Sequence, residues 1–147
     1  MTTQPTFRCS VFIATSLDGF IARRDGDIDW LTGRDDEPGD PGESGYEEFV
    51  SGVDTLVFGR GSYEKVLTFD PWPYEGLRVV VLSTQLPADA DPRVTVYRDL
   101  DSLIEGLNAA GTKGVYVDGG AVVQTFLRAG FIDEMTITRV PVLIGDG

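Results

Sequence analysis

Histidine is absent from the 147 residues. Its absence removes histidine-based catalytic triads, imidazole proton shuttles and zinc sites of the Cys/His type. A single cysteine, Cys9, excludes an internal disulfide framework. No apolar run approaches the roughly 18 residues of a membrane span, and the N-terminal MTTQPTFRCS has no apolar signal core. No membrane partner is expected, and the expected location is cytoplasmic. Basic residues are scarce: 12 Lys and Arg stand against 24 Asp and Glu, a formal net charge of −12. A nucleic-acid backbone would be repelled by this chain. A small anionic ligand remains compatible with it if the few cations are placed locally, which makes an arginine beside a glycine turn informative. The apolar content of 41% and charged content of 24% are those of a folded globular protein, and the length suits a single domain spanning 1–147.

Short apolar runs alternate with helix formers. Arg8 to Thr15 (RCSVFIAT) reads as a buried strand, followed by a turn at Leu17-Asp18-Gly19 and a polar loop ending in Trp30-Leu31. Residues 32–45 are acidic and rich in Gly and Pro and read as a surface loop, and YEEFVSGV as the end of a short helix. Strands are expected at Thr55–Phe58, Leu77–Leu82, Arg93–Tyr97, Val115–Val117 and Glu134–Val140. Helices are expected at Ser62–Leu67, after a turn Gly59-Arg60-Gly61, at Asp99–Ala110, and at Ala121–Ala129. Asp99 or Asp101 is the candidate N-cap of the second helix and Gly111 its stop. This alternation predicts an α/β fold, a three-layer domain whose central mixed sheet is mostly parallel.

In such sheets ligands bind beyond the carboxyl ends of the strands, and the unusual residues of this chain fall there. Gly59-Arg60-Gly61-Ser62 follows one strand, Ser83-Thr84 the next, Arg98 another, and Asp118-Gly119-Gly120 another. The segments 59–62, 83–84 and 118–122 are expected to border one cleft. The glycine pair 119–120 is open to two readings: a tight turn, or a backbone left bare for an anion at a helix N-terminus. GRGSYE misses the G-x-G-x-x-G spacing of a dinucleotide-binding Rossmann turn, and there is no GK[ST] loop for a phosphotransferase. DGDIDW fails as a calcium loop, with Trp30 where a glycine belongs and Asp36 where a glutamate does.

Five blocks, "VFIATSLDGFIA…DWL", "DTLVFGRGSYEKV", "VVVLST", "VYVDGGAVVQTFL" and "IDEMTITRVPVLIGDG", resemble in order and spacing the dihydrofolate reductase superfamily. The similarity is greatest to its branch of riboflavin-biosynthesis deaminase-reductase C-terminal (reductase) domains and their stand-alone relatives. The resemblance implies a dihydrofolate reductase-like fold, NADPH as cofactor and hydride transfer to a small-molecule substrate. It places Ala14 and Thr15 at the nicotinamide carboxamide through backbone groups, and Ile21 and Ala22 near the ring, with residues 24–30 as the closing loop. It puts Gly59, Arg60, Gly61 and Ser62 on the 2′-phosphate side, with Ser83 and Thr84 opposite and Arg98 near the adenosine. Gly119, Gly120, Ala121 and Val122 would present N–H groups to the pyrophosphate.

Thr138 matches the threonine that partners the pterin-fixing acid of dihydrofolate reductases, and Glu43 or Glu47 would be that acid. Both lie among seven acids between Asp35 and Glu48, so folate itself is not implied. Glu47, Glu43 and Asp18 are the candidate proton donors, Asp18 reading more readily as a turn residue. Relatives continue past GDG with further strands, so either the chain is shortened and lacks those strands or the sheet edge is finished differently, and a homodimer that covers the edge is expected. The rival reading is a non-catalytic NADP-binding or interaction protein that uses the acidic loop as its contact surface.

Overall fold

The computed structural model describes residues 4–32, 49, 51–68, 74, 76–89 and 91–147. Its elements run β1 (Arg8–Ser16), α1 (Asp29–Thr32), β2 (Thr55–Gly59), α2 (Arg60–Val66), β3 (Arg78–Leu82), β4 (Val94–Tyr97), α3 (Leu100–Ala109), β5 (Gly114–Val117), α4 (Gly120–Arg128) and β6 (Glu134–Val140). The strands form one sheet in the order β4-β3-β2-β5-β1-β6. A mixed sheet was expected, but all five pairings among the described residues are parallel. Parallel neighbours need crossover connections, and here these bring α3 and α4 onto one face and α2 onto the other.

Strands covered on both faces must be apolar at every position, not at every second one. That explains the unbroken runs LVF in β2, VVV in β3 and VYV in β5, all buried. Val57, Val80, Val115 and Val117 pack beneath Leu103, Ile104 and Leu107 of α3 and Val122, Val123 and Phe126 of α4. Leu56, Phe58, Val79, Val81 and Tyr116 form the opposite layer with Tyr63 and Val66 of α2. Phe49 closes that layer with its ring 5.1 Å from Phe12 and 5.0 Å from Tyr116. At the edges burial thins: β6 is buried only at Val140 and leaves Ile137 48% exposed. Cys9 of β1 is fully buried in the first layer of the core, and desolvation pushes its thiol up to about 12, so it stays an unreactive core residue.

Local signals account for the helix ends. Asp99 accepts a hydrogen bond from Ser102 N at 2.8 Å and caps α3, and Gly111 ends the helix at φ +74°. Most boundaries shift by a single residue, and two segments differ by more. The helix placed at 62–67 starts at Arg60, because Gly59 is extended (φ −93°, ψ 178°) and passes from strand to helix with no intervening turn. The loop expected to end at Trp30 closes in the short helix α1. Residues 33–48 lie outside the described residues, and with them most of the acidic loop and the start of the helix end expected at 46–53. Among the described residues no helix is long and apolar enough to cross a membrane.

One polar cluster inside the second layer fixes α2 against the sheet. Tyr63 Oη donates to Asp91 Oδ2 at 3.0 Å, and Arg93 grips the same carboxylate through Nε (3.0 Å) and Nη2 (2.7 Å). The Arg93 guanidinium holds that carboxyl well below the usual carboxylate range. A buried carboxylate needs such partners to offset its lost hydration. The consequence for the site is that α2, which carries Arg60 and Glu64, is held at its middle.

Candidate functional site

Because the strands run parallel, their carboxyl ends share one edge of the sheet, and a cleft of about 1110 Å³ opens there. Four segments wall it: the loop after β1 with Ile21 and Ala22, the β2–α2 junction from Gly59 to Ser62, the residues after β3 from Ser83 to Gln85, and the β5–α4 junction from Asp118 to Val122. Ala14 and Arg98 line it as well. The topology makes the two glycine junctions neighbours, since β2 pairs with β5 and Asp118 N donates to Val57 O at 2.8 Å.

The glycines there are not equivalent. Gly119 has φ +86°, and a Cβ on it would stand 2.6 Å from Ser62 Oγ, so backbone conformation and packing both demand glycine. A Cβ on Gly59 would meet Val122 Cγ2 at 3.2 Å, so that junction is tight too. Gly120 and Gly61 have no such reason. A Cβ on Gly120 would find only Ile21 Cδ1 at 3.8 Å, and one on Gly61 nothing within 4 Å. Both stand in the first turn of a helix with room for a side chain, and both line the cleft. Helix α4 has no side-chain cap, and its first hydrogen bond runs from Val123 N to Gly119 O. The N–H groups of Gly120, Ala121 and Val122 thus precede the helical ladder, at the end where the helix dipole favours an anion.

The loop after β1 is braced from below. Ser16 Oγ donates to Asp18 Oδ1 at 2.6 Å and accepts from Phe20 N at 3.0 Å, while Asp18 Oδ2 accepts from Gly145 N at 2.8 Å. Led by the Ser16 hydroxyl, these donors lower the Asp18 pKa. A carboxylate so occupied, and absent from the cleft wall, holds the turn together. Further along, Arg23 Nε donates to Asp29 Oδ1 at 2.6 Å and shapes the segment whose Asp25, Gly26 and Ile28 reach the cleft.

The cationic rim is arranged by acceptors of the chain. Arg60 Nε donates to Glu64 Oε1 at 2.8 Å, and its Nη1 to Gln85 Oε1. Arg98 lines the cleft, but its Nη1 is given to the carbonyls of Ser83 (3.0 Å) and Leu86, so part of its work is to hold the turn after β3. Ser83 Oγ accepts from the N–H groups of Gln85 and Leu86, each at 3.1 Å. Thr84 lines the same wall.

Of the residues expected at the site, Ala14, Ile21, Ala22, Gly59, Arg60, Gly61, Ser62, Ser83, Thr84, Arg98, Gly119, Gly120, Ala121 and Val122 all line this one cleft. Thr15 is buried and spends its hydroxyl on Ser16 O at 3.0 Å. Thr138 is exposed on β6 in register with Ala14, beside the cleft but outside its wall. Glu43 and Glu47 lie outside the described residues. Asp118 stands in the cleft without an expected role. Its Oδ1 accepts from Gly119 N at 2.9 Å, and desolvation, the larger influence, raises its pKa. Its place directly after a fully buried strand was the available signal. Glu64, Lys65 and Gln85 also belong to the wall, and only the four-residue spacing of Glu64 from Arg60 marked any of them.

A parallel sheet layered by helices, with a glycine-walled cleft at its carboxyl edge, defines a dihydrofolate reductase-like α/β domain. The chain belongs to the RibD C-terminal domain family, whose profile matches residues 9–147. It is 36% identical over 140 residues to the YwjB protein of Bacillus subtilis (strain 168), whose function is uncharacterised, covering 93% of this chain and 78% of that one. It is 27% identical over 146 residues to the riboflavin biosynthesis protein RibD of Corynebacterium ammoniagenes, spanning 91% of this chain but 43% of RibD. Among solved structures, a protein of Shewanella sp. PV-4 assigned to riboflavin biosynthesis superposes with a TM-score of 0.80 at 41% identity, over 96% of this chain and 81% of that one. A deaminase/5-amino-6-(5-phosphoribosylamino)uracil reductase of Thermotoga maritima shares the fold at 19% identity, with a TM-score of 0.68 over 98% of this chain and 47% of that one.

Proposed function

We propose that the protein is an NADPH-dependent reductase acting on a small heterocyclic substrate, similar to 5-amino-6-(5-phosphoribosylamino)uracil, as part of riboflavin biosynthesis. The observation that carries this reading is the cleft wall itself: Gly61 and Gly120, bare of side chains that the chain's own packing would accept, beside an uncapped helix N-terminus and an arginine rim. Those features fit a phosphorylated dinucleotide. The N–H groups of Gly120 to Val122 would hold its pyrophosphate, Arg60 with Ser62, Ser83 and Thr84 its 2′-phosphate, and Ala14, Ile21 and Ala22 the nicotinamide end. When bound, NADPH supplies the hydride. The chain's task is to orient, exclude water and deliver a proton. Ile21 and Phe12 supply apolar wall, and Asp118, the desolvated carboxyl of that wall, joins Glu43 and Glu47 as a candidate proton donor.

The test is to follow nicotinamide absorbance with NADPH and the ribosylaminopyrimidine, with simple ketones and pterins as controls. Saturable oxidation with the pyrimidine is expected. NADPH binding without turnover of any of these would favour the non-catalytic NADP-binding alternative, and absence of binding would refute the reading. A homodimer is proposed as well, supported by the outer side of β6, which has no strand neighbour among the described residues and leaves Ile137 half exposed. Sedimentation at micromolar concentration should find the dimer, and a monomer alone would count against it.

A further inference from the structure

We propose that Glu64 sets the cofactor preference of this cleft, admitting NADH alongside NADPH by competing for Arg60. The inference rests on the proposed cofactor reading and goes beyond it to a specificity-determining side chain. Arg60 and Glu64 sit one turn apart on α2, both on the cleft wall, joined Nε to Oε1 at 2.8 Å. Both are about half exposed, 47% and 54%, so neither is committed to the core and either has access to a ligand at the rim. The chemistry of the two candidate ligands is opposite. A ribose 2′-hydroxyl needs an acceptor, which a carboxylate provides, whereas a 2′-phosphate needs a cation and is repelled by that carboxylate.

In this structure the guanidinium has already given Nε to Glu64 and Nη1 to the Gln85 side chain. A 2′-phosphate must therefore share Arg60 with a carboxylate whose charge cancels its own. A ribose hydroxyl meets no such competition and finds in Glu64 an acceptor already fixed in place by Arg60. An exposed i,i+4 pair is weak, so a bound ligand can redirect it. An arginine alone at this place would select NADPH, and a glutamate alone NADH. Paired, they make a site of low discrimination.

The experiment titrates NADPH and NADH separately against the parent protein, Glu64→Gln and Arg60→Ala, reading quenching of protein fluorescence, with thermal unfolding of each variant alongside. The parent is expected to bind both cofactors with affinities within about tenfold. Glu64→Gln should tighten NADPH about two- to fivefold and weaken NADH by a similar factor, while Arg60→Ala shifts the preference toward NADH. Equal effects of Glu64→Gln on both cofactors, or none, in a correctly folded variant would overturn the role of Glu64 while leaving the cofactor reading intact. A parent protein that binds neither cofactor would remove both.

Discussion

Asp118→Asn is expected to lower turnover by about 10²–10³-fold, within the usual range for loss of a general acid, while leaving NADPH affinity near that of the parent. The amide keeps an oxygen that can accept from Gly119 N, as Asp118 Oδ1 does at 2.9 Å, so the turn should survive. What the variant lacks is a proton that can be donated to substrate. Desolvation raises the Asp118 pKa, so its protonated form persists to higher pH than that of a free carboxyl. Parent turnover should accordingly fall as pH rises through the folded pKa, and the variant should lose that limb.

Linkage gives a second, independent readout of the same residue. A folded pKa above the unfolded value contributes stability that is fully present below the unfolded pKa and is lost as pH rises through the folded one. Asparagine carries no such loss, so the variant's melting temperature at neutral pH should equal or exceed the parent's. Lower activity with undiminished stability is the pattern of a functional residue that strains its site. Parental turnover in the variant would move the proton to Glu43, Glu47 or water, and a variant that fails to fold would make Asp118 a structural residue.

Arg60→Ala carries the next largest effect. A guanidinium binds a phosphate through charge-assisted hydrogen bonds, and such bonds are worth about 1.5–3 kcal/mol, or roughly ten- to a hundredfold in affinity. Arg60 is half exposed and shared with Glu64, which places the expected loss of NADPH affinity at the lower end, about tenfold. NADH should change little, because it has no 2′-phosphate. Raising salt should weaken NADPH binding to the parent more than to the variant, since screening acts on the interaction removed. Quenching of the buried Trp30 provides a signal. Equal losses for both cofactors would show instead that Arg60 supports the fold or the pyrophosphate.

Much of this molecule is determined by short stretches of sequence. The runs LVF, VVV and VYV are strands because every position is apolar and β-branched or aromatic residues dominate, and in the structure both of their faces are covered. Asp99 and Gly111 bound α3 through hydrogen bonds and dihedrals that span only a few residues. The placing of glycines and arginines just after strands is equally local, and so the cleft's wall was largely legible.

Tertiary structure decided what no window of sequence contains. Strand order inserts β5 between β2 and β1, and only that order sets Gly119 against Ser62 and separates glycines the fold requires from those it leaves bare. It gives Asp18 to Gly145 and Arg98 to the carbonyls of Ser83 and Leu86, contacts across 127, 15 and 12 residues that re-assign both side chains. It desolvates Asp118, whose place after an apolar strand was legible but whose burial among distant segments was not. The physical reason is one of range. Backbone propensity and capping act within a turn or two, whereas strand order and the desolvation of a carboxyl arise from packing among segments far apart in the chain.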